Sequence, residues 1–248
     1  MSGHNKWSTI KRKKGAIDAK RSKAFSKIIK EMTVAVKEGG PEPDSNPRLR
    51  LAISNAKGVN MPKENISRAI SKASEKDAAA LSEVTYEGYA PGGVALFIEA
   101  TTDNIQRTVS NVRSIFNKYN GSLGTNGSLA FIFDRKGIFT VPQGNLVEDD
   151  FIMEIIDAGA EDVVLEDGFF TITTAMEDFG TMMKKFEEIK IEPENAELQR
   201  IPKTTTKLDK EAAQKILRIV EMFEEDDDVT NVFHNLELTD ELMAEMPA

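Results

Sequence analysis

The stretch of the chain that decides the fold contains four short apolar runs: GIFTV at 137–141, DVVLE at 162–166, FFTIT at 169–173 and AELQRI at 196–201. Their β-branched and aromatic content predicts strands. The intervening stretches 148–158 and 179–189 carry apolar residues at helical spacing, which predicts two helices. The order strand, helix, strand, strand, helix, strand is that of a ferredoxin-like unit.

Elements on both sides of this unit predict a second α/β module. Runs at 85–89 and 94–100 flank a Pro-Gly-Gly turn and predict a β-hairpin. A helix is expected after the hairpin, with Asp103 as its N-cap. Its inward-facing residues are expected to be Ile105, Val109, Val112 and Phe116.

A glycine loop containing Gly121, Gly124 and Gly127 comes next, and it is expected to be flexible. The run at 129–133 predicts a further strand. This second module then lacks one helix and one strand, which the patterns at 210–224 and 229–236 supply. The ferredoxin-like unit is therefore predicted to be inserted into a discontinuous module, each with an antiparallel sheet and helices on one face.

The N-terminal part of the chain predicts three helices. In the first, an apolar stripe consists of Phe25, Ile28, Ile29, Met32 and Val36. On the opposite side of the same helical wheel, Lys20, Lys23, Lys27 and Lys30 form what we call the lysine ridge, which is expected to face solvent or a polyanion. Two shorter helices are predicted at 47–56 and 62–73, the second with Pro62 at its first position.

These patterns together predict an α+β multidomain protein, with an N-terminal three-helix domain followed by two ferredoxin-like α/β modules. The expected domains are 1–80, a discontinuous domain of 81–135 plus 204–248, and an inserted domain of 136–203.

Charge is distributed very unevenly along the chain. Residues 1–76 carry 18 basic and 7 acidic side chains, a net charge of +11, whereas residues 77–248 carry 14 basic and 34 acidic side chains, a net charge of −20. A basic block of this kind is typical of proteins that bind a phosphate backbone, because neutralising phosphates releases counterions.

Several kinds of chemistry are missing from the sequence. The chain has no Cys and two widely separated His, so no metal site is expected, and no phosphate-binding loop is present. The acidic cluster at 224–228 is expected to be a solvated helix end. We therefore expect no catalytic residues, no cofactor and no small-molecule substrate.

The expected cellular compartment and oligomeric state rest on features that the sequence lacks. No stretch is long and apolar enough to span a membrane, no secretory signal precedes the first helix, and no dimerising zipper is recognisable. A cytoplasmic monomer is expected.

The candidate nucleic-acid-binding residues are the cations of the basic block and the single Trp. Trp7 would either stack on an unpaired base or anchor the N-terminal arm on the first helix. The full set is Lys6, Trp7, Lys11, Arg12, Lys13, Lys14, Lys20, Arg21, Lys23, Lys27, Lys30, Arg48, Arg50 and Lys63. Arg107 and Lys118, on the helix after the hairpin, are candidates for a secondary contact.

Short motifs spread over essentially the whole chain resemble the YebC family. They are GHNKWS at 3–8, IKRK at 10–13, DAKR at 18–21, FSK at 25–27, NPRLRLA at 46–52, NMPKENI at 60–66, YEGYAPGGVA at 86–95 and TDN at 102–104, with Arg107-Thr108 and Val112-Arg113. The resemblance implies a cytosolic protein with a helical N-terminal domain and two α/β domains.

Two functions are attached to that family. Its bacterial members are commonly described as probable DNA-binding transcriptional regulators. Mitochondrial relatives look like translational activators, and bacterial relatives are linked to ribosomes stalled on proline-rich stretches. We expect a non-enzymatic translation factor that binds ribosomal RNA, with ribosomal proteins as further candidate partners. A DNA-binding transcriptional regulator remains the alternative.

Overall fold

The computed structural model describes residues 18–75, 80–239 and Leu242. In this part of the chain the helices are α1 Asp18–Gly39, α2 Pro47–Gly58, α3 Lys63–Ser74, α4 Ile105–Lys118, α5 Glu148–Asp157, α6 Phe179–Glu188 and α7 Lys210–Glu224. The strands are β1 Ser82–Ala90, β2 Val94–Thr102, β3 Ser122–Leu123, β4 Phe133–Pro142, β5 Ala160–Glu166, β6 Phe169–Ala175, β7 Asn195–Pro202 and β8 Val229–His234. Among these residues, no helix is long and apolar enough to cross a membrane.

The chain forms two compact units. The described residues of the first are 18–31, 80–134 and 201–239 with Leu242, and those of the second are 32–75 and 135–200. These unit boundaries differ from those of the three domains expected from the sequence. Residues 32–75 fall in the same unit as the ferredoxin-like module and not in a separate helical domain. The boundary within α1 lies between Glu31 and Met32.

Unit one is built on a four-stranded sheet in the order β3-β1-β2-β8. Both β1 and β8 pair antiparallel with β2, and β3 pairs antiparallel with β1. The central strand β2 is buried on both faces: Leu96 and Ile98 pack against α4 and α7, whereas Ala95 and Phe97 pack against residues 129–133. Because both faces need apolar cover, β2 is a continuous apolar run instead of an alternating one.

Three details of unit one correct the sequence-based expectations. The run 129–133 is not a strand: residues 127–132 form turns, and β4 begins only at Phe133. The side chain of Asn104, and not that of Asp103, caps α4 by accepting from the backbone N–H of Arg107 at 3.0 Å. Ile105, which was expected to face inward, is 46% exposed because it occupies the first helical position.

Unit two contains the predicted ferredoxin-like module. Its sheet has the order β5-β6-β4-β7, and β6 pairs antiparallel with both β4 and β5. This order confirms the fold class predicted from the sequence. The core lies between the sheet and α5 and α6, where Phe139, Phe170 and Ile172 are completely buried.

The helices α2 and α3 begin at Asn-Pro and Met-Pro dipeptides. Asn46 caps α2: its side-chain oxygen accepts from the N–H of Leu49 at 3.0 Å, and its amide donates to the carbonyls of Ala35 and Gly40 at 2.7 and 2.8 Å. Pro62, expected at the first helical position, instead precedes α3 with ψ at 140°. The Asn46 side chain thus fixes where α1 ends and where α2 begins.

The C-terminal half of α2 packs closely against β7 within unit two. The side-chain amide of Asn55 donates to the carbonyl of Ala196 at 2.9 Å and accepts from its N–H at 3.0 Å, as a neighbouring strand would. Three residues further along, a Cβ added to Gly58 would collide with the backbone carbonyl oxygen of Glu194. Gly58 is therefore required by close approach of two backbones.

We expect Gly58→Ala to lower the free energy of unfolding by about 2 kcal/mol, because the added methyl group would force α2 away from β7. Urea denaturation followed by circular dichroism measures this change. Gly180→Ala in α6 is the matched control, since a Cβ there meets nothing within 4 Å. Equal stabilities of the two variants would contradict the close approach.

Candidate nucleic-acid interface

The structure covers only part of the predicted nucleic-acid-binding set. The candidates that lie outside the described residues are Lys6, Trp7, Lys11, Arg12, Lys13 and Lys14. Lys20 and Arg21 fall in the first turn of α1, where the description covers the backbone alone. For these eight residues, binding to nucleic acid stays a prediction.

Three members of the lysine ridge face the protein itself, which corrects the expectation of an open cationic surface. The ammonium group of Lys23 donates to the carbonyl of Glu225 at 3.1 Å, and that of Lys27 donates to the carbonyl of Thr230 at 3.2 Å. Lys30 donates to the carbonyls of Thr101 and Asp227 at 2.9 and 2.6 Å. These contacts dock the first half of α1 onto unit one.

The physical reason for this arrangement lies at the end of α7. The last carbonyls of a helix lack partners within the helix and carry partial negative charge, so lysine ammonium groups are favourable there. Glu225 follows the last residue of α7, and Asp227 lies in the turn that leads to β8. Lys23 and Lys30 satisfy carbonyls of this turn. A helical wheel identifies a polar face but not what lies opposite it, so the sequence could not distinguish this contact from solvent exposure.

The same turn contains a buried carboxylate that receives hydrogen bonds from three elements. One oxygen of Asp228 accepts from Arg107 Nε and Nη2 at 3.1 and 2.6 Å, from Thr108 at 2.9 Å and from Thr102 at 3.1 Å. The other oxygen accepts from Lys30 at 3.1 Å. We call this cluster the Asp228 hub. The Asp228 side chain is 7% exposed, so the interpretation of 224–228 as a solvated cluster is wrong at this residue.

The hub holds Asp228 in its ionised form. Burial raises the pKa of its carboxyl group, but hydrogen bonds from Arg107, Lys30 and Thr108 outweigh burial and place the pKa at about 2, below the ordinary value of 3.8. Hydrogen bonds to Asp228 and Asp103 raise the pKa of Arg107. Of the predicted residues, Lys30 and Arg107 are thus joined by one carboxylate.

The depressed pKa of Asp228 makes stability depend on pH. The hub stabilises the folded state above about pH 4, and this contribution of about 2 kcal/mol is lost as pH falls towards 2. Asp228→Asn should therefore unfold at lower urea concentration than the wild type at pH 7. The difference should shrink between pH 4 and pH 2, because the wild-type carboxyl group is then protonated.

Two lysine variants separate the hub from general charge effects. Lys30→Gln should also lower the free energy of unfolding at pH 7, since it removes a partner of the buried carboxylate. Lys63→Gln removes the same charge from an exposed position of α3 and should leave stability unchanged. A difference between wild type and Asp228→Asn that stays constant from pH 7 to pH 2 would rule out the ionised hub.

The remaining described candidates of the first set lie on α2 and α3. Arg48 forms an ion pair with Glu38 at 2.8 Å. The guanidinium group of Arg50 donates to the carbonyls of Pro43 and Asp44 at 2.9 and 2.8 Å, and both Arg50 and Lys63 are exposed. Arg68 and Lys72 of α3 are exposed too and were not in the predicted set, although their i, i+4 spacing places them on one face of the helix.

The secondary candidates on α4 have different surroundings. Arg107 belongs to the Asp228 hub and also pairs with Asp103 at 2.7 Å, so most of its donors are engaged within the protein. Lys118 is exposed, with its ammonium group 5.4 Å from the centre of the Tyr119 ring. Arg113 is exposed on the same helix and was missed by the sequence analysis.

The glycine loop after α4 is held by a second buried carboxylate, which the sequence analysis also missed. Glu87 is 4% exposed, and its two side-chain oxygens accept from the N–H groups of Gly127 and Leu129 at 2.7 and 2.6 Å. Its backbone carbonyl accepts from the N–H of Gly124 at 2.7 Å. The loop is therefore fixed to β1, and these bonds occupy donors that a strand at 129–133 would have needed.

The described residues contain no group of three or more His, Cys, Asp or Glu side chains that could hold a metal ion. In particular, the oxygens of Asp228 and Glu87 already accept hydrogen bonds from protein donors.

Comparison with known proteins identifies relatives along the whole chain. Proteins named "Probable transcriptional regulatory protein" from Amoebophilus asiaticus and Geotalea uraniireducens are 48% and 49% identical to it, over 95% and 99% of this chain and 98% and 100% of theirs. The crystal structure of a conserved hypothetical protein from Aquifex aeolicus superposes with a TM-score of 0.80 at 43% identity, covering 90% of this chain and 93% of that one.

Two family models match consecutive parts of the chain. The model described as the TACO1/YebC protein N-terminal domain matches residues 5–76, and that of the TACO1/YebC second and third domain matches residues 81–236. The chain therefore belongs to the TACO1/YebC family.

Proposed function

We propose that this protein is a non-enzymatic regulator of gene expression that binds ribosomal RNA as a translation factor in the cytoplasm. The observation that carries the proposal is the separation of charge, +11 for residues 1–76 against −20 for the remainder. A polyanion is attracted to the first part of the chain and repelled by the rest. Membership of a family whose members are named as regulators supports the regulatory role.

The surface offered to the polyanion is narrower than the sequence suggested. Because Lys23, Lys27 and Lys30 are engaged with unit one, we assign binding to the N-terminal arm, to Lys20 and Arg21, and to the exposed cations of α2 and α3. No acidic residue lies between Asp44 and Glu64. Within that stretch Arg48 and Lys57 pair with Glu38 and Glu192, which leaves Arg50 and Lys63 as the strongest described candidates.

Two amide side chains bear on the choice between RNA and DNA. Reading a DNA sequence in the major groove usually requires Asn, Gln or Arg side chains that reach base edges from a helix. Asn46 is engaged as the cap of α2, and Asn55 pairs with the backbone of Ala196. Neither amide is then available to read a base edge, so contacts from α2 depend on its cations, which suit phosphate contacts that require no particular sequence.

The acidic remainder of the chain gives the protein a second kind of partner. Basic ribosomal proteins are attracted to such a surface, and they lie beside ribosomal RNA. We infer that the protein acts as a monomer without a cofactor and, from its family, that it relieves stalling at proline-rich stretches. The alternative is a DNA-binding transcriptional regulator, which the names of the relatives favour.

A pair of matched variants tests which surface binds. Replacing Arg50 and Lys63 by Gln should weaken binding of the full chain to ribosomal RNA and flatten the log-log salt dependence by about 1.5 units, since two phosphate contacts are lost. Replacing Arg218 and Lys215, both exposed on α7, removes the same charges and should leave the salt dependence unchanged. Fluorescence anisotropy across a salt series measures both. Equal effects of the two pairs would show that binding follows net charge alone.

Ribosome association separates the two functions. If the protein is a translation factor, it should co-sediment with ribosomes at physiological salt, and deletion of its gene should raise ribosome occupancy at particular codons more than it changes transcript levels. Removing residues 1–15 should abolish the association, because it deletes Trp7 and five cations. Discrete promoter footprints, with about a thousandfold discrimination over random duplex and no ribosomal fraction, would establish the DNA-binding alternative instead.

A further inference from the structure

A long segment of unit one differs in charge from everything around it. The thirty residues between Asp103 and Asp134 contain no Asp or Glu, although about one residue in five after Lys76 is acidic. The segment carries Arg107, Arg113 and Lys118 and is rich in Asn, Ser, Thr and Gly. Two acids from elsewhere in the fold reach its start, since Asp228 binds Arg107 and Asp226 accepts from Asn111 at 3.0 Å. The part of the segment that a polyanion can approach therefore begins after Asn111.

This acid-free segment wraps around one edge of the sheet. It starts as α4, whose residues Val112 and Phe116 pack on the face of β2 that carries Leu96 and Ile98. It then forms β3, the edge strand in the order β3-β1-β2-β8. It ends with residues 129–133 on the opposite face, against Ala95 and Phe97 of β2. The segment is a continuous band from one face of the sheet to the other.

One aromatic side chain projects from this band. Phe131 is 70% exposed, the highest value among the exposed large hydrophobic side chains of the described residues. Its neighbours Leu129, Ile132 and Phe133 are buried in the core beneath it. The ring of Phe131 is therefore exposed to water although three of its neighbours are buried. It lacks the stabilisation that burial normally gives a side chain of this size.

The backbone around Phe131 is fixed, so its exposure is a property of the fold. The N–H of Ile132 donates to the carbonyl of Leu129 at 2.9 Å, and the carbonyl of Ile132 accepts from the N–H of Lys203 at 2.8 Å. On the other side, Glu87 holds the N–H groups of Gly127 and Leu129. These bonds hold the backbone on both sides of Phe131, so the side chain leaves the chain at a fixed point.

We propose that Phe131 stacks on an unpaired RNA base, while Arg113 and Lys118 contact the phosphates of the same strand. Proteins usually hold single-stranded nucleic acid by stacking bases on aromatic rings and contacting the backbone with cations along its path. Arg113 and Lys118 lie on α4, which packs on the other face of the sheet from residues 129–133, so the proposed strand follows the acid-free segment around the sheet edge. This contact lies in unit one and is distinct from the basic block. The proposal rests on the proposed RNA-binding function. It specifies the kind of RNA that is bound, namely a strand with an unpaired base.

The surroundings of Phe131 favour RNA over a protein partner. The exposed residues before it in the loop, Thr125, Asn126 and Gly127, are uncharged, and the exposed acid that follows it, Asp134, pairs with Lys203 at 3.0 Å. The core of a protein interface needs a contiguous apolar patch, whereas a base needs one ring face and nearby hydrogen-bond donors. Arg107 is left out of the proposal because the Asp228 hub engages it.

The test measures binding of the full chain to a single-stranded oligoribonucleotide that contains 2-aminopurine. Phe131→Ala should raise the Kd by about 5- to 100-fold and abolish the quenching caused by stacking, without changing the salt dependence, since no charge is lost. Phe131→Tyr keeps an aromatic ring and should bind like the wild type. The combined variant Arg113→Gln, Lys118→Gln should flatten the salt dependence by about 1.4 units.

Met153→Ala is the matched control, because Met153 is 62% exposed on α5 of unit two and should have no effect on binding. A Kd for Phe131→Ala within twofold of the wild-type value, with quenching intact, would overturn the proposal and leave the RNA-binding function standing. Loss of ribosome association by Phe131→Ala without any change in oligoribonucleotide binding would assign the ring to a protein contact instead. Failure of the wild type to bind ribosomal RNA at all would reject the proposed function itself.

Discussion

The buried carboxylate of Asp228 joins the elements of unit one. Asp228 lies in the turn between α7 and β8, and its partners come from α1, from the end of β2 and from α4. A buried ionised group is costly unless hydrogen bonds and opposite charges surround it. Asp228 has both, because Lys30 and Arg107 supply charge and two threonines supply hydroxyl donors. Removing Lys30 or Arg107 would leave the buried carboxylate with one opposite charge instead of two.

The docking of α1 also occupies cations that the charge count includes. Lysines that contact the turn after α7 dock α1 onto the rest of unit one. The basic block therefore contains two kinds of cation: those that form contacts within the protein and those that remain exposed. Both kinds count equally in the net charge of residues 1–76. The net charge therefore overstates the number of cations that are exposed for binding. The exposed cations of α2 and α3 keep the long-range attraction to phosphates, which acts over about 8 Å at physiological ionic strength.

Glu87 holds the glycine loop in place as Asp228 holds α1, by accepting hydrogen bonds from a distant part of the chain. Both are buried acidic residues, and both have their oxygens occupied by donors of the protein. The loop held by Glu87 carries the exposed ring of Phe131 in a segment free of acidic side chains. Two buried acids thus hold α1 and the glycine loop against the sheet of unit one.

The sequence by itself determined the elements and the fold class, because apolar periodicity and turn residues are local properties of the chain. The helix Lys210–Glu224 was predicted to the residue, and the order of strands and helices from 137 to 201 identified the ferredoxin-like unit. Only the tertiary structure decided which polar residues are buried. Lys30, Glu87 and Asp228 lie far apart in the chain from the groups they bind, and a side chain that pairs across such a distance has no periodic signature. For the same reason the exposure of Phe131, within an apolar run that resembles a strand, could be seen only in the folded protein.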